Sequence, residues 1–133
     1  MTVTIAAGVE AQEAGYAERL KGHLAAYKRE RLGVLEDGVW SRNGRTYPHI
    51  LPEGLERLNV IEPVRREFWA YQQACKIKLH RDFHHLNSSQ GAAFNLFFPF
   101  FGAPGAAAPM LHALGIADGA VTDWGFERVL DRQ

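Results

Sequence analysis

The run GAAFNLFFPFF, Gly91 to Phe101, constrains this chain more than any other feature. It carries no charge, and its only strongly polar side chain is Asn95. A segment apolar nearly all round does not behave as a surface helix, so it is expected as a central one with Ala92 to Phe98 in the core. Asn95 then needs a partner, because a buried amide without one costs about 1–3 kcal/mol. Pro99 removes a backbone donor and is expected to stop the helix. Just upstream, Asn87 to Gln90 has capping-box spacing, a side-chain acceptor followed three residues later by a glutamine.

Around that helix the pattern is mainly α with one short β-hairpin. Residues 1–12 lack periodicity and read as a disordered tail, leaving 13–133 as a single, mostly helical domain. From Glu13 to Leu32, Tyr16, Leu20, Leu24 and Tyr27 form one helical stripe, ended by Gly33. Lys28, Arg29 and Arg31 read as its solvated faces. Asn43-Gly44 is a type I′ turn dipeptide, so Val39–Arg42 and Arg45–Tyr47 are expected to pair across it. Pro48 and Pro52 force an extended connection. Asn59 is placed to cap a long buried helix with Pro63 near its first turn and the stripe Val64, Phe68, Tyr71 and Cys75, continuing to about Leu79. After the central helix, GAPGAAAP has linker composition. A short helix over Met110–Leu114 follows, and Thr122 or Asp123 caps a last segment, Trp124–Asp131.

Several function classes are excluded or weakened by composition. Fifteen basic and fifteen acidic residues give zero formal charge, which removes the whole-protein electrostatic case for nucleic-acid binding. A single cysteine, Cys75, rules out an internal disulfide framework, and its place in a helical stripe predicts a buried, inert thiol. The amino end has no secretory pattern and no apolar run spans a membrane, so a soluble cytoplasmic protein is expected. Glycine-rich nucleotide motifs and the Gly-x-Ser-x-Gly elbow are both missing.

The chemistry concentrates between Leu79 and Asn95. On a continuous helix His80 and His84 would share a face at i, i+4, the spacing of paired metal ligands, with His85 and Asp82 close by. No Cys or Glu completes a recognised ligand set, so no metal site is assigned and these histidines read as hydrogen-bonding groups that orient loops. His85, Asn87, Ser88, Ser89 and Gln90 gather polar groups before a helix N-terminus, where an anion can dock. Capping alone accounts for Asn87 and Gln90 and is the preferred reading.

Several motifs in fixed order resemble a bacterial family of restriction endonucleases in the PD-(D/E)XK nuclease-like superfamily. They are DGVW (Asp37–Trp40), YPHILP (Tyr47–Pro52), Leu58-Asn59, REFWAY (Arg66–Tyr71), KLHRDFHHLNSSQ (Lys78–Gln90), FNLFFPF (Phe94–Phe100) and FER (Phe126–Arg128). The HHLNSSQ and FNLFFPF pair is the specific part. The resemblance implies metal-dependent hydrolysis of DNA phosphodiesters, with an Asp on one strand and a Glu-x-Lys on the next holding Mg²⁺. It also implies that Glu127, by motif position, is the catalytic glutamate often found on the first core helix, which 122–133 would form. No Glu-x-Lys occurs anywhere in the sequence. The chain is therefore expected to be the amino-terminal helical region of a restriction-endonuclease-like α/β protein, truncated, inactive alone and needing no cofactor of its own. An apolar helix left uncovered would favour self-association. Two other readings stand beside it: an independent binding module with a polar, histidine-bearing pocket at His80–Gln90, and a small metal-dependent enzyme using His80, His84, His85 and Asp82.

Overall fold

A computed structural model describes residues 5–103, 105–116 and 119–127, the first ten of these as backbone only. Its elements are α1 (Ile5–Glu30), β1 (Gly38–Val39), β2 (Thr46–Tyr47), α2 (Glu62–Cys75), α3 (Ser89–Phe101) and α4 (Ala107–Ala113), with a 3₁₀ turn at Glu56–Asn59. The mainly α architecture with one short hairpin is as expected from the sequence. Among the described residues no helix is long and apolar enough to cross a membrane. The contacts divide the chain into two compact units, one built from 1–59 and 81–88 and the other from 60–80 and 89–133. Sequence patterning treats 13–133 as one domain.

In the first unit, α1 contributes its C-terminal end rather than the expected stripe. Tyr16 and Leu20 are exposed, whereas Ala25 and Lys28 are buried. Lys28 is not on a solvated face: it is 0% exposed, and its ammonium donates to Glu36 O at 2.5 Å, Asp37 Oδ1 at 3.1 Å and Ile50 O at 3.3 Å. A buried ammonium is tolerated only when acceptors replace its water, and here three do. The segment 49–51 runs extended between two neighbours. Gly38 N–H donates to Ile50 O on one side, while Leu51 N–H donates to His84 O and Leu86 N–H to His49 O on the other. Ile50, Leu51 and Phe83 fill the space beneath.

The hairpin pairs Gly38 with Tyr47 and Val39 with Thr46, but its turn is not type I′. Of the two central residues only Gly44 has positive φ, at 70°. Asn43 keeps negative φ and uses its side chain instead, accepting Arg45 N–H and donating to Tyr47 Oη. Trp40 O accepts the N–H groups of both Asn43 and Gly44. A longer loop with one left-handed glycine results.

In the second unit, α2 begins after Ile61 with Pro63 in its first turn and no side-chain cap. Asn59 therefore does not cap it. α2 is shorter than α1 and ends at Cys75, because Lys76 turns left-handed at φ 52°, ψ 41° and its N–H closes on Gln72 O. Its core face is Phe68 and Trp69, and Cys75 is exposed rather than buried. α3 runs through Pro99 to Phe101; at the last turn the missing proline donor forfeits one bond without breaking the helix. Only one side of α3 is covered. Phe94 and Phe98 are buried, whereas Leu96 is 61% exposed and Phe97 and Phe100 are partly so. Phe68 meets Phe94 at 4.6 Å and Phe98 at 5.2 Å between ring centres.

The expected last helix is not seen. Residues 121–125 have no regular structure, 126–127 bend, and 128–133 lie outside the described residues. Trp124 and Phe126, two apart, both reach the aromatic core: Trp124 stacks on Tyr71 at 4.9 Å, and Phe126 meets Phe94 at 5.1 Å. Spacing of two on one packed surface suits bent or extended backbone better than a helix.

Candidate functional site

The polar run from His80 to Asn95 is divided between the units. Asp82, His84, His85 and Ser88 belong to the first, His80, Ser89, Gln90 and Asn95 to the second. His80 and His84 thus do not share a helix face, since no helix covers 76–88.

In the first unit three imidazoles gather around the hairpin. His84 and His85 meet edge to face at 4.7 Å, His85 and His49 at 6.3 Å, and Trp40 lies 6.1 Å from His85. Strand-like pairing of 49–51 with 84–86 puts them there, and two side-chain links hold the arrangement. His84 Nε2 lies 2.9 Å from Val39 O. Asn59 Nδ2 donates to Phe83 O at 2.8 Å and His85 O at 3.0 Å. Burial holds the His49 pKa below its ordinary value, helped by the charges of Lys21 and His85. Burial likewise lowers His85, with His84 adding to the effect and Asp82 opposing it. His85 Nε2 and Asp82 Oδ1 are 3.7 Å apart, too far for a hydrogen bond. Both atoms, like Trp40 Nε1, are buried without a hydrogen-bond partner. The cluster is thus a packed array rather than an open pocket. Asn87 is exposed and Ser88 half-buried, with Ser88 N–H donating to His85 O.

The second unit holds an open cavity of about 320 Å³ at the C-terminal end of α2. The left-handed Lys76 turns the chain, Gln72 Nε2 holds Ile77 O at 2.8 Å, and Gln90 holds the irregular segment that follows. Gln90 is 5% exposed. Its Oε1 accepts His80 N–H at 2.9 Å, and its Nε2 lies 3.0 Å from Lys78 O and 2.6 Å from Glu127 Oε1. It therefore ties residues 78–80 to Glu127 instead of completing a capping box. Asn95 Oδ1 accepts Ile61 N–H at 2.9 Å, supplying a partner for the amide of the apolar helix and one for the start of α2. The cavity walls are Tyr71, Cys75, Lys76, Lys78, Phe126 and Glu127, with Ile77 at the back. Glu127 has φ 52°, a conformation uncommon outside glycine and worth attention beside a cavity. His80 Nε2 lies 3.8 Å from Glu127 Oε1.

A family model described as Restriction Endonuclease associating with ARP matches residues 21–131. The chain belongs to that family. No curated protein and no solved structure matches it. The family places the chain among proteins related to restriction endonucleases, and its match covers both the imidazole cluster and the Glu127 cavity.

Sequence reasoning about this member of the family missed Trp40, His49, Lys76 and the aromatic walls of the cavity. The signal for the walls was present in the spacing of Trp124 and Phe126. No local pattern marked His49, whose place depends on pairing with residues 84–86.

Divalent-metal chemistry fits the Glu127 cavity poorly. Mg²⁺ is held by oxygen ligands, commonly carboxylates and water. Around Glu127 the polar neighbours are Gln90 Nε2, His80 and the two lysines, and among the described residues no three His, Cys, Asp or Glu side chains converge as a metal site.

Proposed function

We propose that this chain is a non-catalytic helical part of a PD-(D/E)XK endonuclease system acting on DNA in the cytoplasm, where Mg²⁺ and the Asp…Glu-x-Lys set are supplied by residues other than these 133. The observation that carries the reading is the environment of Glu127, the one residue to which the family resemblance gives a catalytic role. Its carboxylate is held by Gln90 and approached by His80, which is an arrangement for positioning and recognition rather than for gripping a cation. The uncovered side of α3, Leu96, Phe97 and Phe100, is consistent with a part that packs in a larger assembly or against a second copy.

The test has two arms. The purified chain is incubated with duplex and single-stranded DNA in Mg²⁺ or Mn²⁺, and no cleavage is expected. The DNA following codon 133, or the adjacent reading frame, is expected to encode the Asp and Glu-x-Lys residues. Metal-dependent cleavage by the chain alone, lost in Glu127→Gln, would overturn the reading.

A second reading, a binding module, is favoured by the same cavity, which brings an anchored carboxylate, two lysines and aromatic rings together in one unit. It differs from the sequence expectation in location. Of the His80–Gln90 run, His80 and Gln90 support this cavity, while the run's other two histidines do not line it.

A further inference from the structure

We infer that α1 is a dimerisation helix, its exposed apolar stripe covered by α1 of a second copy running antiparallel to it. This goes beyond the nuclease reading and is independent of whether any DNA is cut. α1 packs only by its C-terminal end. From Tyr16 to His23 every residue except Lys21 is exposed, whereas Ala25 and Lys28 are buried. The stripe that the sequence marks as a core face is thus divided: Leu24 and Tyr27 are half-buried, while Tyr16 and Leu20 meet solvent. Backbone propensity does not account for the uncovered part. Gly8, Gly15 and Gly22 all lie inside α1, and glycine is the poorest helix former after proline. A Cβ at Gly22 would meet nothing within 4 Å, so no close approach within the chain requires that glycine. A helix of this kind is held mainly by burying an apolar face.

The charge along α1 selects the partner. Its first half, Ile5–Glu18, carries Glu10, Glu13 and Glu18 and no basic residue. Its second half, Arg19–Glu30, carries Arg19, Lys21, Lys28 and Arg29 against Glu30 alone. Lys28 is engaged inside the unit, which leaves Arg19, Lys21 and Arg29. The Lys21–Glu18 pair at 3.2 Å is exposed at both ends, and such pairs contribute little, so neither charge is withdrawn. The helix dipole does not explain the division, because no acidic residue lies in the first turn, where the dipole acts. A helix acidic in one half and basic in the other is its own complement only when reversed. Two antiparallel copies lay each acidic half over a basic half, while parallel copies lay like over like. A two-fold axis crossing the helix near its middle generates that arrangement, and an isologous interface needs only one self-complementary patch.

The size of the face sets the strength of the dimer. The 26 residues of α1 make a strip about 39 Å long and about 10 Å wide, roughly 400 Å² of flat face per copy. A pair of such strips lies at the small end of specific interfaces, so the dimer forms at micromolar rather than nanomolar concentration. The uncovered side of α3 offers no comparable argument. Ser89–Phe101 holds no charged residue, and nothing along it selects one partner or one orientation.

Sedimentation equilibrium of the full chain, from about 1 to about 500 µM, is expected to show a monomer–dimer equilibrium. Leu20→Glu, an exposed change, should weaken the dimer roughly tenfold or more. Amide exchange at Gly38 and Leu51 should stay as in the wild type, which shows that the first unit still folds. Leu96→Glu, on α3, should leave dimerisation unchanged. Arg19→Glu with Lys21→Glu makes the middle of α1 acidic, and Glu10→Lys, Glu13→Lys and Glu18→Lys together make its first half basic. Each of these two variants should self-associate roughly tenfold more weakly than the wild type. Mixed in equal amounts, they should regain a dimer about as tight as the wild type. Raising salt from about 50 to about 500 mM should weaken the wild-type dimer several-fold, by screening opposite charges. A dimer that salt strengthens has like charges facing and overturns the antiparallel arrangement. A chain monomeric throughout, or charge variants that do not associate when mixed, overturns the inference. So does a dimer kept in Leu20→Glu and lost in Leu96→Glu, which would assign the contact to α3. No readout requires hydrolysis, so a failure here is distinct from a failure of the nuclease reading.

Discussion

Lys28→Met tests the energetics of the first unit most directly. The wild-type ammonium is wholly buried with three acceptors at 2.5, 3.1 and 3.3 Å. Hydrogen bonds to a charged group contribute roughly 1.5–3 kcal/mol each when intact, and removing one partner of a buried pair costs about 3–5 kcal/mol through the group left behind. Those figures need discounting here. The Asp37 side chain is 39% exposed, so water replaces much of its lost partner, and its share is that of a surface pair, about 0–1 kcal/mol. Ile50 O retains Gly38 N–H at 2.9 Å, so it is not orphaned either. Glu36 O belongs to an exposed residue and regains solvent. The methionine stem keeps most of the packing. With no acceptor orphaned, what is lost is the net contribution of the two carbonyl bonds, at the low end of roughly 1.5–3 kcal/mol each, with little added by Asp37, so the cost is about 3 kcal/mol.

Lys28→Ala loses the stem as well, and three further buried methylenes at roughly 0.8 kcal/mol each bring the total to about 5 kcal/mol. The urea dependence of amide exchange at Gly38 and Leu51 reads the first unit. For a chain of this size about 3 kcal/mol lowers Tm by roughly 10 °C. Asp37→Asn serves as the control and should cost about 1 kcal/mol or less. If Lys28→Met costs under about 1 kcal/mol, the ammonium is not satisfied as described. If Asp37→Asn costs as much as Lys28→Met, the ion pair carries the effect and the two carbonyls do not.

Gly38→Ala is expected to destabilise the same unit by about 2–3 kcal/mol, because an added Cβ would collide with Leu51 O and lie 2.5 Å from Ile50 Cγ2. Gly44→Ala, at φ 70° but in open space, should cost only about 1 kcal/mol from backbone conformation; equal midpoints for the two variants would contradict the close approach. Acid should loosen the imidazole cluster. His49 and His85 both have pKa values lowered from 6.5, so the folded state binds fewer protons than the unfolded one. Their contribution is whole above pH 6.5 and is lost as pH falls through and below it. Amide exchange at Leu51 and Leu86 is expected to speed relative to the second unit between about pH 7 and 5.5 beyond its intrinsic pH dependence, and His49→Asn with His85→Asn should flatten that response. A cluster as protected at the lower pH as at the higher would refute the burial argument.

What the sequence revealed was local periodicity; what it concealed depended on partners distant along the chain. The helices and the hairpin follow from spacing and turn residues within a few positions. The apolar helix was legible as a helix but not as a half-covered one, because no local pattern says which of Phe97 and Phe98 meets Phe68. The same limit explains Lys28. On a helical wheel it neighbours Leu24 and Ala25, which hints at burial, but its acceptors come from residues 36, 37 and 50, and only the folded loop supplies them. Asn59 and Gln90 are the clearest cases. Each occupies a position where a capping side chain would be read, and each instead bonds across 24 to 37 residues of sequence. An amide satisfies a helix end or a distant loop with equal chemistry, so composition and spacing alone could not choose between them. At Gln90 that choice matters for function, since the amide that would have ended α3's N-terminus instead fixes the one carboxylate facing the cavity. The Glu127 site is therefore a product of tertiary structure, built by a residue whose local motif argued for something else.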